Sequence, residues 1–544
     1  MLAGLSACSS VDLEPTTQYD ISFAFKSVEN AELYLNHLYQ VDRIFSPFGS
    51  CALGGSNANL SDGLTETLKY GGIVAGVGDC NLIMTVDGQQ SVQQNYFDCW
   101  TTGYGWVRRL NEFIAGVDNY GSFSKHEGAR LKAEAQFLRA EVEFYMMRSH
   151  ASAKDDLGII LYHSIDKMAV ETKNNARSSV SECWDAIAED LRWAVEFLPE
   201  PAEARGRLHK YAAYALMARA MLYAGRYEDA LKAAQTVRDS KLYGYLDNYE
   251  DVFRTVDNRE VIWGSAFTSG VQTHTFDSKY SMPGDYCTSG GKGGGYAGPT
   301  QEFVDMYDNA DGTPFSASGD ERYITSENVS SRDPRLAQSV LYNGAVWKGR
   351  AIECCEGGID QKYMPYGSQN NPGNTVTGYY MRKMLDESNK DFDVNGSFQP
   401  WCSFRYAETM LILAECQARG GKYEDCRKTV SELRKARFGR DDVFTAVVTD
   451  MESALDLILH ERAIELCFEG HRFWDLRRTG RAKAVLDGKS YTGVLWKKSG
   501  ETFVPTVVSC SMGRANSYPE RFDRFPIPQS EISNNTQARQ NADW

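Results

Sequence analysis

No apolar run in this 544-residue chain approaches the ~18 to 20 residues that span a bilayer, which excludes a bundle of transmembrane helices. No basic stripe relieves the charge balance either: Lys+Arg 58 against Asp+Glu 73 leaves a net charge of −15, which repels phosphate backbones, and nucleic acid is not expected as a partner. Among the 13 cysteines there is no C-x-x-C pair, and none of the 8 histidines stands at zinc-site spacing, so no metal is expected. The familiar catalytic and nucleotide motifs are incomplete. His460-Glu461-Arg-Ala-Ile464 lacks the second histidine of a zincin helix. Gly291-Lys292 has no Ser/Thr after the lysine, and Tyr286 stands where a P-loop needs its first glycine. In Asp308-Asn-Ala-Asp311-Gly312, Tyr307 and Ser318 occupy two ligand positions of an EF-hand loop, which leaves a turn after a helix. There is no G-x-S-x-G elbow. No cofactor and no catalytic residue are expected.

The chain is 42% hydrophobic and 24% charged, and a chain this long buries about three quarters of its unfolded surface without disulfides or metals. Helical periodicity dominates both ends. Leu131, Ala135, Leu138, Val142 and Tyr145 step by four and three within 129–149, and Trp184, Ile187, Leu191, Ala194 and Leu198 repeat that spacing before Pro199 and Pro201. The segments 209–224 and 404–419 read as further helices, each followed by a glycine and a second helix. Their turns match: Gly225-Arg-Tyr-Glu-Asp-Ala230 and Gly421-Lys-Tyr-Glu-Asp-Cys426 pair a turn glycine with a packing tyrosine and two acids at a helix N-terminus, with Ala218 and Ala414 as small residues for close approach. These hairpins resemble tetratricopeptide repeats. From about 270 to 400 periodicity fades into glycine- and tyrosine-rich sequence, with a short helix expected at 301–307, and 70–102 has the same texture. The expectation is a mainly α fold, a tetratricopeptide-like helical-hairpin superhelix covered on one face by a loop-rich lobe.

The first eight residues, Met1-Leu-Ala-Gly-Leu-Ser-Ala-Cys8, have the shape of a lipoprotein signal cut before Cys8, although its basic n-region is missing. Residues 1–8 are read as a signal remnant, 9–24 as a polar tether and 25–544 as one body. The scaffold is expected mainly at 105–265 and 401–480, the ligand-binding lobe mainly at 45–104 and 270–400.

The densest run is 461–478, where Glu461, Glu465 and Glu469 share a helical face and Arg462, His471, Arg472, Arg477 and Arg478 are near enough to pair with them. Dense alternating charge at a helix junction is read as structural, so Glu461, Arg462, Glu465, Glu469, Arg472 and Asp475 are assigned to the fold. The run resembles the late E-R-x-x-E-L-x-F-E-G-x-R-x-x-D-L-x-R signature of the SusD family (RagB/SusD) of Bacteroidetes outer-membrane lipoproteins. Glu134-Ala-Gln-Phe-Leu-Arg-Ala140, Pro299-Thr-Gln-Glu-Phe-Val-Asp305, Phe525-Pro-Ile-Pro528 with Glu531, and the closing Gln540-Asn541-Ala-Asp-Trp544 are similar to other stretches of that family. Two segments depart from it: 155–161 replaces the usual glycine- and proline-rich stretch, and 280–296 has its own sequence.

The resemblance implies a surface-exposed, lipid-anchored, glycan-binding protein of the outer membrane. It would deliver oligosaccharide to a SusC-like TonB-dependent transporter without catalysis. A pyranose offers apolar C–H faces and a ring of hydroxyls, so its site needs flat aromatics beside polar groups. Trp100, Tyr104, Tyr280, Tyr286, Tyr296 and Trp347, with Asp79, Asn81 and Lys292 as polar neighbours, are the candidate ligand residues. Trp100, Tyr286, Tyr296 and Trp347 are expected to converge on one exposed surface. Peptide cargo, a glycoside hydrolase and a peptide-binding intracellular scaffold are the alternatives; acylation at Cys8 separates the last from the rest.

Overall fold

The computed structural model describes residues 21–47, 49, 60–70, 90–164, 175–200, 206–316, 318–361, 375–510 and 515–544; Cys8, Asp79 and Asn81 lie outside the described residues. After a first helix, α1 (Val28–Leu38), the scaffold is built from α2 (Trp100–Tyr120), α3 (Lys125–His150), α4 (Val180–Phe197), α5 (Lys210–Tyr223) and α6 (Tyr227–Ser240). It resumes as α7 (Tyr406–Arg419), α8 (Tyr423–Phe438), α9 (Met451–Glu465) and α10 (Arg472–Arg478).

Local chemistry sets the helix ends. Ser124 and Ser179 each accept the N–H of the glutamate three residues on, and Glu127 and Glu182 return the bond to the serine N–H, closing two capping boxes. Leu131, Ala135, Leu138 and Val142 are fully buried, as the spacing predicts. Gly225 and Gly421 take φ values of +72 and +74, the left-handed region open to glycine, and so permit the two matched turns. Ala218 and Ala414 are fully buried between helices. Helix α6 packs on α7, so the second hairpin stacks directly on the first across the inserted lobe. At that seam the Arg419 guanidinium lies 4.7 Å from the Tyr227 ring centroid.

The lobe enters and leaves through one antiparallel pair, β1 (Val261–Ser265) with β2 (Trp401–Arg405). It is more ordered than its sequence suggests. Short helices at Phe276–Tyr280, Gln301–Met306 and Pro334–Ser339 and strand pairs of two or three residues surround a core of its own, in which Tyr280, Tyr307, Trp347, Tyr379 and Tyr380 are fully buried. Strands so short leave no period-2 signal to read. A second surprise is the ribbon Thr492–Ser499 with Thr502–Ser509.

Between lobe and scaffold lies a buried charge network. Arg335 holds Asp333 (2.7 Å), Glu461 (2.6 Å) and Glu465 (3.0 Å). Arg405 holds Glu260 (3.1 Å), Glu465 (2.7 Å) and Glu469 (2.6 Å). Arg437 binds Glu465 (2.8 Å) and Glu260, Arg434 binds Glu461 (2.9 Å) and Asp308 (2.8 Å), and Lys383 binds Glu469 (2.7 Å). The three signature glutamates are thus buried and ion-paired, but their partners are not the arginines nearest in sequence. Helix α9 ends at Glu465, and positive φ at Phe468 and Gly470 turns the chain so that α10 leaves on another side. Arg462 and Arg478 consequently hold Asp475 (2.7 and 2.8 Å), Arg478 also holds Glu415 (2.8 Å), and Arg472 holds Glu66. Arg477 donates to the backbone carbonyls of Arg148 and Asp523, and His471 faces Glu408 at 3.8 Å.

Removing one member of such a network strands its buried partners, at about 3 to 5 kcal/mol. Glu465→Ala is expected to lower the thermal midpoint clearly; differential scanning calorimetry reads it, and an unchanged midpoint would remove Glu465 from the role given to it. Acid should also unfold the protein in stages. Burial lowers His471 from 6.5 to about 4, so its stability share is complete above pH 6.5 and lost as pH falls to 4. Burial alone would raise the Glu408 carboxyl, but the Arg219 guanidinium holds it at about 2, and its share is complete above 4.5 and lost as pH falls to 2. Asp62 and Asp277, pushed up to about 6 by burial, act in the opposite sense between 3.8 and 6. The His471 share is read as the difference in urea midpoint between parent and His471→Gln, expected to shrink from pH 7 to pH 4.

Candidate functional site

The aromatic platform expected from the sequence does not form. Trp100 is 2% exposed and belongs to the helical core, its indole N–H donating to Glu531 at 3.4 Å. It stands on α2 rather than in a loop: Asp98 accepts the Trp100 backbone N–H at 2.8 Å, and the loop-like Gly103 is where α2 meets α3, since a Cβ there would lie 2.4 Å from the Met146 sulfur. Tyr104 sits one turn on, half-buried, with its hydroxyl closed between the N–H and the carbonyl of Ile160 (2.7 and 3.0 Å). Tyr280 is 0% exposed and bonds the Tyr70 hydroxyl at 2.8 Å. Trp100 and Tyr280 are thus closed to solvent, and the Tyr104 hydroxyl is occupied.

The lobe does gather the others. The indole N–H of Trp347 donates to Asp285 at 2.9 Å, which places it beside the segment carrying Tyr286, at 61% the most exposed of the candidates, and half-buried Tyr296. Lys292 is exposed and bridges to Tyr286 through the backbone. Trp347 itself is 1% exposed.

Trp347 is nevertheless a wall of a cleft of about 440 Å³ at the junction of lobe and scaffold. Tyr249 and Phe253, from the turn before β1, and Phe398 complete the aromatic lining. Arg382 crosses the wall with its guanidinium 5.9 Å from the Trp347 ring centroid, held by Glu250 (3.1 Å) and more loosely by Glu387 (3.7 Å). Glu250 also takes Arg254 at 3.0 Å, and Glu387 accepts the Lys348 N–H at 3.1 Å. Two amide oxygens in the wall, Gln338 Oε1 and Gln399 Oε1, are buried without a donor. The cleft is tied to the charge network beneath it: Lys383 donates to the carbonyls of Glu465 (3.1 Å) and Cys467 (2.8 Å), and Tyr249 donates to the Glu465 carbonyl (2.6 Å).

Chemically the cleft offers flat apolar surface, guanidinium donors and carboxylate acceptors whose charges already cancel in pairs. That set suits a neutral polyol better than an ion. The cleft carboxylates Glu250 and Glu387 are engaged by arginines or backbone, and Asp386 accepts from Ser388. No two of these three carboxylates stand free to flank a glycosidic bond as hydrolysis requires. The sequence did not point to this cleft, because 249–254, 338, 347, 382–388 and 398–399 meet only in the folded chain.

Among the described residues one group has the composition of a metal site, Glu143, His163 and Asp190, with ligand atoms within 4.8 Å of one another. Asp190 is already chelated by Arg139 (2.8 and 2.7 Å), whose charge opposes a cation. Burial pulls the His163 pKa down, but the Glu143 carboxylate outweighs it and holds the imidazole above its ordinary value. The group is an ion-pair network.

The profile of the SusD family matches residues 259–544, and one described as starch-binding associating with outer membrane matches 65–222. SusD-like protein P25 of Formosa agariphila is 22% identical over 469 residues, covering 84% of this chain and 83% of its own. A SusD-like protein of Bacteroides fragilis superposes with a TM-score of 0.77 at 25% identity, over 96% of this chain and 98% of its own. A laminarin-binding SusD-like protein does so at 0.67 and 20%, over 95% and 99%. With the matched helical hairpins and the signature network, these likenesses place the chain: it belongs to the SusD family.

Proposed function

We infer that the protein binds oligosaccharide and is not a catalyst, with the Trp347–Arg382 cleft as its sugar site. The observation that carries this reading is the cleft itself, where aromatic walls and mutually neutralised donors and acceptors line a volume of about 440 Å³, room for one or two sugar rings. Family membership and the laminarin-binding neighbour support a carbohydrate as the ligand class. Exposed Tyr286 lies on the same lobe and offers a stacking face for a longer chain. The remainder of the reading is that the protein is lipid-anchored through Cys8, exposed at the outer-membrane surface, and hands its cargo to a SusC-like TonB-dependent transporter. The small-residue run before Cys8 and the outer-membrane association in the second matching profile support this part.

Isothermal titration against neutral oligosaccharides, with peptides as the competing class, tests the ligand. Arg382→Ala and Tyr286→Ala are each expected to weaken glycan binding by about 1 to 2 kcal/mol, roughly five- to thirtyfold, with little change in the thermal midpoint. Glycan affinity untouched by Arg382→Ala would move the site elsewhere, and binding of peptides in place of glycans would replace the ligand. Cys8→Ala is expected to release the protein from the membrane fraction; unchanged fractionation would reject the anchor.

A further inference from the structure

Trp474 on α10 is flanked by two guanidinium groups, Arg148 at 4.1 Å and Arg477 at 4.9 Å from its ring centroid. Neither is ion-paired among the described residues. Arg477 donates to the carbonyls of Arg148 (3.1 Å) and Asp523 (2.7 Å). The Arg148 guanidinium also lies 4.7 Å from the Tyr145 ring and 5.9 Å from the Phe144 ring, and its Nε is buried without an acceptor among the described residues. Arg148 is half-buried and holds no carboxylate among the described residues, whereas Arg335, Arg405 and Arg437, in the same protein of net charge −15, each hold at least two.

Arg148 lines a pocket of about 80 Å³ between α3, β2 and the turn into α10, walled by Phe45, Tyr96, Tyr145, Trp401, Ser149 and Ser403. The other charged groups there are spent. Arg219 is bound to Glu408 (2.8 Å), and Glu469 to Arg405 and Lys383. Burial keeps His471 neutral at ordinary pH. What remains is one uncompensated positive charge against aromatic walls, where an ionic contact is stronger than in water. The volume holds ~2 to 3 waters at ~30 Å³ each, or one oxyanion group, and excludes a pyranose ring.

We propose that this pocket binds a single oxyanion group, a carboxylate or sulfate, on the Arg148 guanidinium. The group arrives either as a free ion or as the acid substituent of a larger ligand whose body stays outside. The site is separate from the sugar cleft and does not depend on it.

Thermal unfolding of the full chain in sodium sulfate, with sodium chloride at equal ionic strength as the control, reads the site. Sulfate stabilises proteins generally by exclusion, so the comparison is with Arg148→Met, which keeps the packing on Trp474 and drops the charge. The parent should show a saturable upward shift that Arg148→Met lacks. Sodium glucuronate against glucose separates the sources: a saturable shift with glucuronate points to an acidic sugar, and one with sulfate alone to a free inorganic ion. Identical dose responses in parent and variant overturn the proposal. If Arg148→Met does not fold, parent crystals soaked in selenate decide it, through an anomalous peak beside the Arg148 guanidinium or the absence of one.

Discussion

Arg405 ends the strand that closes the lobe, and its guanidinium is divided among Glu260, Glu465 and Glu469, all buried. A charge removed from water must be met by opposite charge and by hydrogen bonds filling every remaining donor, or the fold pays several kcal/mol for each ion. That requirement is what fixes the lobe to the scaffold. Glu465 comes from the end of α9, Arg437 from α8, Arg335 and Lys383 from the lobe, and Glu260 from the residue just before β1. Hydrophobic packing would tolerate a slid or rotated lobe; an interlocked set of guanidinium and carboxylate groups tolerates one arrangement. The cleft inherits that fixity, since Lys383 and Tyr249 belong both to its wall and to the network.

The helical scaffold was legible because its signals are local. Capping boxes at Ser124 and Ser179, apolar steps of three and four, and turn glycines followed by Tyr-Glu-Asp each act within a few residues. That the 461–478 run would sit in a buried charge network was legible from its density of charge, but its partners were not, because pairing was reasoned along the helix while Phe468 and Gly470 turn the chain away. Trp100 and Tyr104 were misplaced because 45–104 read as lobe, whereas α2 already begins at Trp100 and packs closely on α3 at Gly103. The large aromatics of the lobe mostly pack its own core, and Trp347 reaches the cleft from within that core. Which aromatic faces a ligand depends on strands of two or three residues, too short to leave a pattern.

The cleft and the Arg148 pocket differ by charge compensation. In the cleft, Arg382 and Arg254 are answered by Glu250 and Glu387, leaving dipoles and spare lone pairs suited to hydroxyls. At Arg148 the answering carboxylate is missing and the surroundings are aromatic. The same residue type therefore stands in two electrostatic settings within one chain, decided by its neighbours rather than by its own pKa or position on a helix.

The stacking of α6 on α7 has a kinetic corollary. The two helices meet face to face, yet about 165 residues, most of them the lobe, separate Ser240 from Tyr406. Closing a loop of that length costs about 4 to 5 kcal/mol of chain entropy before the contact returns anything. The buried face of α6, Ala230, Ala233, Ala234 and Val237, packs on α5 within its own hairpin and gains its second neighbour, α7, only when the chain returns through the β1–β2 clasp. Completion of this superhelix therefore depends on a contact that is non-local in sequence, the kind that forms slowly and leaves apolar surface open in the meantime.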